Sequence, residues 1–322
     1  MSKDQKKNSK INQQKPPHFP FEEPPFCLSM GLLKIPEREW FEIFDQHERA
    51  FQMAEKRKLL ANHHGDVFMA DPSAFMASSE VLNLMLKHLP SIRPDLYSRK
   101  SNKIKLNPHP EFDEEEWSTD LNTNGIHPLD LAARLVQEDL IIMLPPDIKQ
   151  AQTSAGWWLA AGSVAFPSRW CLKKKLGLPM DIIHAPVPFY KEQLQTAVDN
   201  FLNQMPDDQI YARRNWSLYD NPSLRQDGAE QMSERTQKPI TSNNAGERLW
   251  LRVERQTLRK LKGTGAILFT IRIHLRQLKH IVNYDGVAKR LAKSLSALPQ
   301  KMQAYKRTDV LADSAQAYLN QF

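Results

Sequence analysis

An α+β fold is predicted by three features of this sequence. Helical periodicity dominates from Pro36 to Asp139, two short apolar strand patterns follow, and three further strand patterns precede terminal helices. Strands and helices do not alternate as βαβ units, which excludes a doubly wound parallel sheet. Glycine is scarce, with 11 residues in 322, roughly half the usual ~7% share. The one G-x-G, Gly263-Thr264-Gly265, reads as a turn, and no G-x-x-x-x-G-K-[ST] is present, so a nucleoside triphosphate loop is excluded.

The first helix is carried by Trp40, Phe41, Phe44, His47, Phe51 and Ala54, which recur at three- and four-residue spacing before the charged run Glu55-Lys56-Arg57-Lys58. A second is expected from Ser78 to Leu89. Ser78 or Ser79 would cap it, Leu82, Met85, Leu86 and Leu89 line one face, and Pro90 would stop it. The acidic stretch Glu111–Glu116 reads as a solvated loop or a helix start. A third helix, Pro128 to Asp139, presents Leu129, Leu131, Ala132, Leu135 and Val136.

Leu140–Leu144 and Trp157–Phe166 are apolar and bounded by Pro or Gly, as buried strands are. A short helix is expected from Trp170 to Leu176, closed by Gly177. A longer amphipathic one, Phe189 to Met205, follows Pro186 and Pro188. Ile210–Tyr219 reads as a strand, and Asp220–Gly246 as a loop too hydrophilic for the core. Arg248–Leu261 then alternates, with Leu249, Leu251 and Val253 on one side and Trp250, Arg252, Glu254 and Gln256 on the other. After the turn at Lys262–Gly265, Ala266–Leu275 alternates again, Ile267, Phe269, Ile271 and Ile273 against Thr270, Arg272 and His274. The expectation is an antiparallel hairpin with one apolar and one polar face. Helices at Val287–Tyr305 and Asp309–Leu319 close the chain. Two strands, helices and then three antiparallel strands is also the order of a PAS domain, a small sheet that encloses a cofactor against its helices.

Composition narrows the function classes. The chain is 41% hydrophobic and 25% charged, the balance of a folded soluble protein. Cys27 and Cys171 are its only cysteines, which excludes a disulfide framework and any four-cysteine zinc or iron–sulfur site. The best apolar stretches, Leu140–Pro146 and Gly156–Pro167, fall short of the ~20 residues of a membrane helix. Residues 1–15 hold five lysines and one aspartate, so they carry +4 of the formal +7 and the rest of the chain only +3. A tail of Lys, Gln, Asn and Ser is expected to be disordered. It has no apolar h-region, so the expected compartment is the cytoplasm. Without a helix-turn-helix, zinc-knuckle or aromatic–basic signature, this charge does not indicate nucleic acid. The expected organisation is a basic, proline-rich tail over residues 1–24, a main domain over 25–306 and a helical extension over 307–322.

Ten histidines are present, yet no H-E-x-x-H or H-x₃-H, and no G-x-S-x-G serine elbow. His184 stands apart by context: Asp181-Ile182-Ile183-His184-Ala185-Pro186-Val187-Pro188 is apolar and stiffened by two prolines. A haem iron needs a neutral imidazole held in an apolar pocket. A buried histidine satisfied by a backbone carbonyl fits the same pattern. Arg252, Glu254 and Gln256 share a strand face, either a solvent-facing set of paired charges or a polarised wall beside a cofactor. Arg213-Arg214-Asn215-Trp216 carries the same two readings. Cys171 reads as a small apolar filler rather than a thiolate ligand.

Several ordered motifs resemble one family. They are Gln137-Glu138-Asp139-Leu140, Val164-Ala165-Phe166-Pro167-Ser168-Arg169-Trp170, Lys175-Leu176-Gly177, Ile183-His184-Ala185-Pro186-Val187-Pro188, Arg214-Asn215-Trp216, Arg252-Val253-Glu254-Arg255-Gln256-Thr257-Leu258 and Leu268-Phe269-Thr270-Ile271-Arg272. From about Pro25 to Tyr305 the chain is similar to the haem-dependent oxidative N-demethylase alpha-subunit-like family. The turn Lys262–Gly265 and the strand end Ile273-His274 depart from the proline and Thr-Tyr usual there. The resemblance implies a PAS fold that binds haem b and oxidises a small amine, dimethylamine in the characterised activity, with oxygen and release of formaldehyde. Electrons would come from NADPH through partner subunits carrying FMN and a 2Fe–2S centre, with tetrahydrofolate associated with the product. It further implies His184 as the iron ligand; it does not transfer the amine-binding residues, and the reading of the residues themselves sets Arg169 and Trp170 beside the cofactor and Arg252, Glu254 and Arg214 as groups acting on oxygen or the amine. A haem-based gas or redox sensor, and a haem-free PAS-like binding protein, are the alternatives.

Overall fold

Side-chain caps, more than periodicity, decide where the N-terminal helices begin and end. The structure is a computed structural model that describes residues 19–21, 24–43, 45–107, 114–121, 125–146, 156–227 and 239–322. The basic stretch read over residues 1–15 lies outside them, as does Phe44. After a short strand β1 (Leu33–Ile35), only a 3₁₀ turn, Glu37–Glu39, forms before Trp40 and Phe41, both buried. Helix α1 (Gln46–Asn62) starts only where the Asp45 carboxylate accepts the Glu48 N–H at 3.0 Å. The helix expected from Pro36 is thus corrected to start ten residues later. A single turn α2 (His64–Val67) and strand β2 (Phe68–Ala70) lead to α3 (Phe75–Ile92). Pro90 sits inside the last turn of α3 and does not stop it. Ser78 is no cap either, because its hydroxyl donates to the Ala74 carbonyl one turn back at 2.8 Å.

A three-stranded antiparallel sheet follows, β3 (Tyr97–Lys100), β4 (Lys103–Leu106) and β5 (Glu115–Ser118). Part of the acidic stretch is therefore a strand, fastened by Lys103 Nζ to Glu116 Oε1 at 2.6 Å. Helix α4 (Pro128–Arg134) is shorter than its pattern. The buried Lys56 ammonium donates to the carbonyls of Ala133, Val136 and Glu138, at 3.3, 3.0 and 2.6 Å, and ends it.

Strands β6 (Asp139–Leu144) and β7 (Trp158–Ser163) come next, then helix α5 (Met180–His184), a π-helical turn over Tyr190–Leu194 and α6 (Gln195–Gln204). Strand β8 (Ile210–Tyr219) has the bounds its pattern predicts. The turn α7 (Ala245–Arg248) precedes the hairpin β9 (Trp250–Lys260) and β10 (Ile267–Gln277). Helices α8 (Leu278–Ile281), α9 (Val287–Ala297), α10 (Gln300–Lys306) and α11 (Ala312–Leu319) complete the chain, Pro299 dividing the first long C-terminal pattern. Between Trp170 and Leu176 only a 3₁₀ turn, Leu172–Lys174, forms. Among the described residues no helix is long and apolar enough to cross a membrane.

The main sheet has seven antiparallel strands in the order β1-β8-β9-β10-β6-β7-β2. Its register overturns the expectation of one apolar and one polar hairpin face. Arg252, Glu254 and Gln256 stand opposite Leu275, Ile273 and Ile271, while Val253 and Arg255 stand opposite His274 and Arg272. Residues directly opposite share a face, so each face mixes the polar set of one strand with the apolar set of the other.

On the face of Leu251, Val253 and Arg255, apolar clusters cover both ends. The C-terminal helices pack there with Trp216 and Leu218, and Phe19 and Phe21, within the segment read as a tail, join them. Helices α3 and α4 cover the β6 end. Between the clusters runs a polar band. Glu42 accepts from His274 Nε2 at 2.8 Å and Arg214 Nη2 at 3.1 Å, and forms an ion pair with the Arg255 guanidinium, whose Nε lies 3.0 Å away. Arg272 meets Gln52 and, at 3.5 Å, Glu48.

The other face lies under α5 and α6. There Asp139, fully buried at the start of β6, accepts the N–H groups of Ala165 and Phe166 at 2.8 and 2.9 Å. Arg252 of β9 donates to the carbonyls of Phe166 at 2.7 Å and Leu224 at 2.8 Å. The loop read as too hydrophilic for the core thus supplies Leu224 and Gln226 to it.

Asp139→Asn places an amide N–H₂ against a backbone donor. We expect it to cost about 2–4 kcal/mol, read as a lowered urea midpoint. Burial raises the carboxyls of Glu42 and Glu48, but His274 and the neighbouring arginines outweigh it and bring both from 4.5 to about 2. A depressed folded-state pKa gives stability that is complete above about pH 4.5 and is lost as pH falls towards 2. Glu42→Gln should remove part of that slope, up to about 3 kcal/mol, in urea titrations at pH 3 and pH 6.

Candidate functional site

The segment between β7 and β8 is held by backbone bonds that its sequence dictates. Gly177, at φ +80°, turns the chain so that its N–H reaches the Leu159 carbonyl at 2.8 Å, and the Met180 N–H reaches Trp157 at 2.8 Å. Pro179 then begins α5, which places His184 at its last position. Pro186 and Pro188 prevent the helix from continuing, and Phe189 takes a left-handed φ of +66° before the π-helical turn. Arg169, at φ +60°, is a second such residue on this side of the sheet. Left-handed backbone at non-glycine residues costs of order 1–3 kcal/mol each and collects at ligand-binding sites.

His184 is half-buried. Its Nδ1 bonds the Met180 carbonyl at 2.9 Å, and its ring lies nearly parallel to that of Tyr190, 17° apart with centroids 4.7 Å apart. Burial pushes the imidazole down to about 4; the Met180 bond opposes this, and the Lys175 and Arg213 cations add to it. The ring is therefore neutral near pH 7, with Nδ1 as donor and Nε2 carrying the lone pair. The carbonyl partner foreseen for an ordinary buried histidine is present, and the same bond orients a metal-binding imidazole.

Across from α5 and α6 the sheet presents Tyr211, Arg213, Asn215, Glu254, Gln256, Leu258 and Phe269, all half-buried, as are Ile183, Val187, Val198 and Phe201 of the helical cover. Phe201 of α6 meets Tyr211 of β8 edge to face with ring centroids 5.0 Å apart, and Ile183, Val198, Leu258 and Phe269 pack against the same cluster while keeping part of their surface accessible. Tyr190, 4% exposed, has a buried hydroxyl without a hydrogen-bond partner among the described residues. Burial raises that hydroxyl to about 12, with Asp199 and Asp181 contributing.

The remaining expected site residues divide. Glu254 faces this region, with Ser168 Oγ donating to Oε1 and Gln256 Nε2 to Oε2 at 3.0 Å. Lys175 lies 4.9 Å over the Trp170 ring, and the charge of Glu254 acts on it. Arg252 is on the same face but 1% exposed, its Nη1 and Nη2 given to backbone carbonyls. Arg169 stacks 4.2 Å over Tyr219 and donates to the Lys306 carbonyl at 2.5 Å. Arg214, opposite Arg255, projects from the other face, to Glu42. Tyr190 was not singled out in the sequence. Its signal was its place two residues after Pro188, where the turn folds its ring back on His184.

Among the described residues no group of three or more His, Cys, Asp and Glu side chains could hold a metal ion. A metal here would need a ligand that brings its own donors, as a porphyrin does. The residues fit that requirement: one neutral imidazole, apolar side chains on two sides, and the Lys175 and Arg213 cations for carboxylates.

Arg252→Lys keeps the charge but not the two-pronged geometry. We expect a loss of about 2–4 kcal/mol in urea unfolding, because the Phe166 and Leu224 carbonyls lose a shared donor.

The sequence model of the family described as "Haem-dependent oxidative N-demethylase, alpha subunit-like" matches residues 31–316, most of the chain, and the protein is a member of that family.

Proposed function

We propose that this protein is the haem-binding oxygenase component of an amine-oxidising system, with His184 as the iron ligand. The neutral, carbonyl-oriented imidazole of His184, set between two faces that leave apolar side chains half-covered, carries this reading. The sheet order supports a PAS-like fold. Taken alone, β6 to β10 lie side by side as β7-β6-β10-β9-β8, with α5 and α6 crossing between the second and third of these strands. The order of elements in the sequence gave the same reading.

Haem b would supply oxygen activation and accept electrons; the residues of the chain would bind and orient. His184 Nε2 would hold the iron, with Nδ1–H kept on the Met180 carbonyl. Lys175 and Arg213 offer charge to the two carboxylates of the cofactor. Glu254, set by Ser168 and Gln256, offers a negative charge to a protonated amine. Arg252, Arg169 and Trp170 position that wall rather than touch the reactants, and Arg214 acts through Glu42 from beneath the sheet. In the balance for dimethylamine, one oxygen atom leaves in formaldehyde and the other in water, with two electrons and two protons supplied from outside. The donor would be NADPH through a flavin and iron–sulfur partner, as the family resemblance implies; the two cysteines of this chain are too few for a four-cysteine centre of its own. A cytoplasmic location suits that donor, and tetrahydrofolate would take up the formaldehyde away from this chain.

Purified protein should show a Soret band that His184→Ala abolishes while far-ultraviolet circular dichroism stays unchanged. A colourless wild type that haem does not reconstitute overturns the reading. With a surrogate reductant, dimethylamine should stimulate oxygen uptake and formaldehyde release, and Glu254→Gln should lower kcat/KM at least tenfold without loss of the Soret band. Haem binding without amine-dependent turnover would instead mark a sensor.

A further inference from the structure

The C-terminal helices concentrate the positive charge of this chain. Residues 278–307 hold seven lysines and arginines against one aspartate, a net +6. Residues 16–322 together carry only +3, so outside this stretch they sum to −3. Two of the seven cations are used within the fold. Lys306 Nζ donates to Asn215 Oδ1 at 3.1 Å and to the Trp216 carbonyl at 2.5 Å, and Lys279 lies 3.5 Å from Glu247. Lys289, Arg290 and Lys293 are exposed along one side of α9, and Lys301 and Arg307 on α10 and at its end. Those three cations of α9 have no carboxylate partner among the described residues.

This charge is placed against the stability of the helices that carry it. Helix α9 begins at Gly286 without a side-chain cap, and its first turn has no acidic residue; Lys289 and Arg290 stand at its third and fourth positions. Cations there oppose the helix dipole, and Lys289 and Lys293, four residues apart, repel each other across one turn. Arg307 takes a left-handed φ of +53° at the end of α10, where glycine is the usual residue. A surface kept only for solubility mixes both signs. Unbalanced cations at unfavourable positions mark a face that a negative partner completes.

The acidic run of the chain itself does not supply that partner, because Glu114, Glu115 and Glu116 are already paired with Lys105, Arg57 and Lys103. A bilayer does not suit it either. The apolar side of α9, with Val287, Leu291 and Leu295, is buried in the fold and leaves nothing to insert. Tyr305 and Val310, 43% and 58% exposed, flank Arg307 instead, and arginine with tyrosine is typical of protein interfaces. Helices of 11 and 7 residues measure roughly 16 and 10 Å, the scale of the small contacts made by transient redox pairs. The same layer borders the candidate site. Lys301 lies 5.8 Å over the Phe189 ring, the charge of Glu254 acts on the Tyr305 hydroxyl, and the Lys306 carbonyl accepts from Arg169. We propose that the outer face of α9 and α10 docks the acidic face of a partner protein. That this partner is the electron donor rests on the proposed function; the docking itself does not.

Isothermal titration of the full-length protein as purified tests this with an acidic 2Fe–2S ferredoxin, a basic cytochrome c, a short DNA duplex and phosphatidylserine vesicles. The ferredoxin should bind at least tenfold more tightly than the cytochrome, and its affinity should fall at least tenfold between about 20 and 200 mM salt. The triple variant Lys289→Glu, Arg290→Glu, Lys293→Glu should lower ferredoxin affinity at least tenfold while raising the thermal midpoint, because acids then stand where the helix dipole favours them. A second triple variant, Lys87→Glu, Arg99→Glu, Lys100→Glu, changes net charge equally at exposed positions of α3 and β3. It should leave the affinity within threefold. Absent ferredoxin binding, equal binding of the cytochrome, or equal loss in both variants overturns the proposal. Tighter binding of the duplex or the vesicles than of the ferredoxin also overturns it, in favour of nucleic acid or lipid. The first triple variant should keep the Soret band of the wild type, and a colourless wild type would leave the titrations standing, so the two readings fail separately.

Discussion

The buried carboxylate of Asp139 is the fixed point to which the functional face is referred. It stands at the first residue of β6 and receives two consecutive N–H groups from the stretch that leaves β7. Those donors have no strand partner where the chain turns out of the sheet, and an unsatisfied buried N–H costs about 1–3 kcal/mol. Arg252 completes the arrangement from β9 by taking the Phe166 carbonyl and, with its other nitrogen, that of Leu224. Four segments, at Asp139, Ala165–Phe166, Leu224 and Arg252, are thereby tied at one corner. The chain leaving that corner runs through Ser168, which sets Glu254, and on through Gly177 to α5 and His184. A shift of Asp139 would move both walls of the site.

The polar band on the opposite face serves a different end. Glu42 gathers Arg214, Arg255 and His274 from three strands, while Glu48 and Gln52 of α1 take Arg272. Buried ion pairs roughly break even against apolar packing in net stability, but a broken one is expensive. A register slip by one residue would turn Arg255, Arg272 and Arg214 to the other face and leave Glu42 buried without its partners. The band therefore penalises alternative registers of the hairpin more than it deepens the native state. It also lets a strand as charged as β9 sit in the middle of a sheet covered on both faces.

Strand positions were legible in the sequence because alternation and flanking Pro or Gly survive burial, and β8 was bounded to the residue. Helix ends were less so. Asp45 as a cap of α1 and Lys56 as a cap of α4 act through contacts that periodicity does not encode. The small β3-β4-β5 sheet escaped notice because its strands are four residues long and half charged. The hairpin faces were misjudged for a related reason. Each strand's alternation was correct, but the turn from Leu261 to Ala266 sets which set meets which. At the candidate site, the end of α5 at His184 was legible from the prolines that follow it, whereas the backbone partners of Arg252 required the fold, since a carbonyl acceptor leaves no trace in residue identity.

The cover over β8 and β9 is built from short, interrupted pieces of helix. Helix α5 spans five residues and is cut off by Pro186 and Pro188, and α6 resumes only after the left-handed Phe189 and a π-helical turn. A continuous helix through this segment would be better bonded and would lay its side chains closer to Leu258 and Phe269. The interruption instead leaves those residues half-exposed and holds His184 against Tyr190 at the break. Each left-handed residue works against folding on its own account. A ligand that buried the apolar side chains on both sides would stabilise the native state in proportion to its occupancy, offsetting that strain when bound.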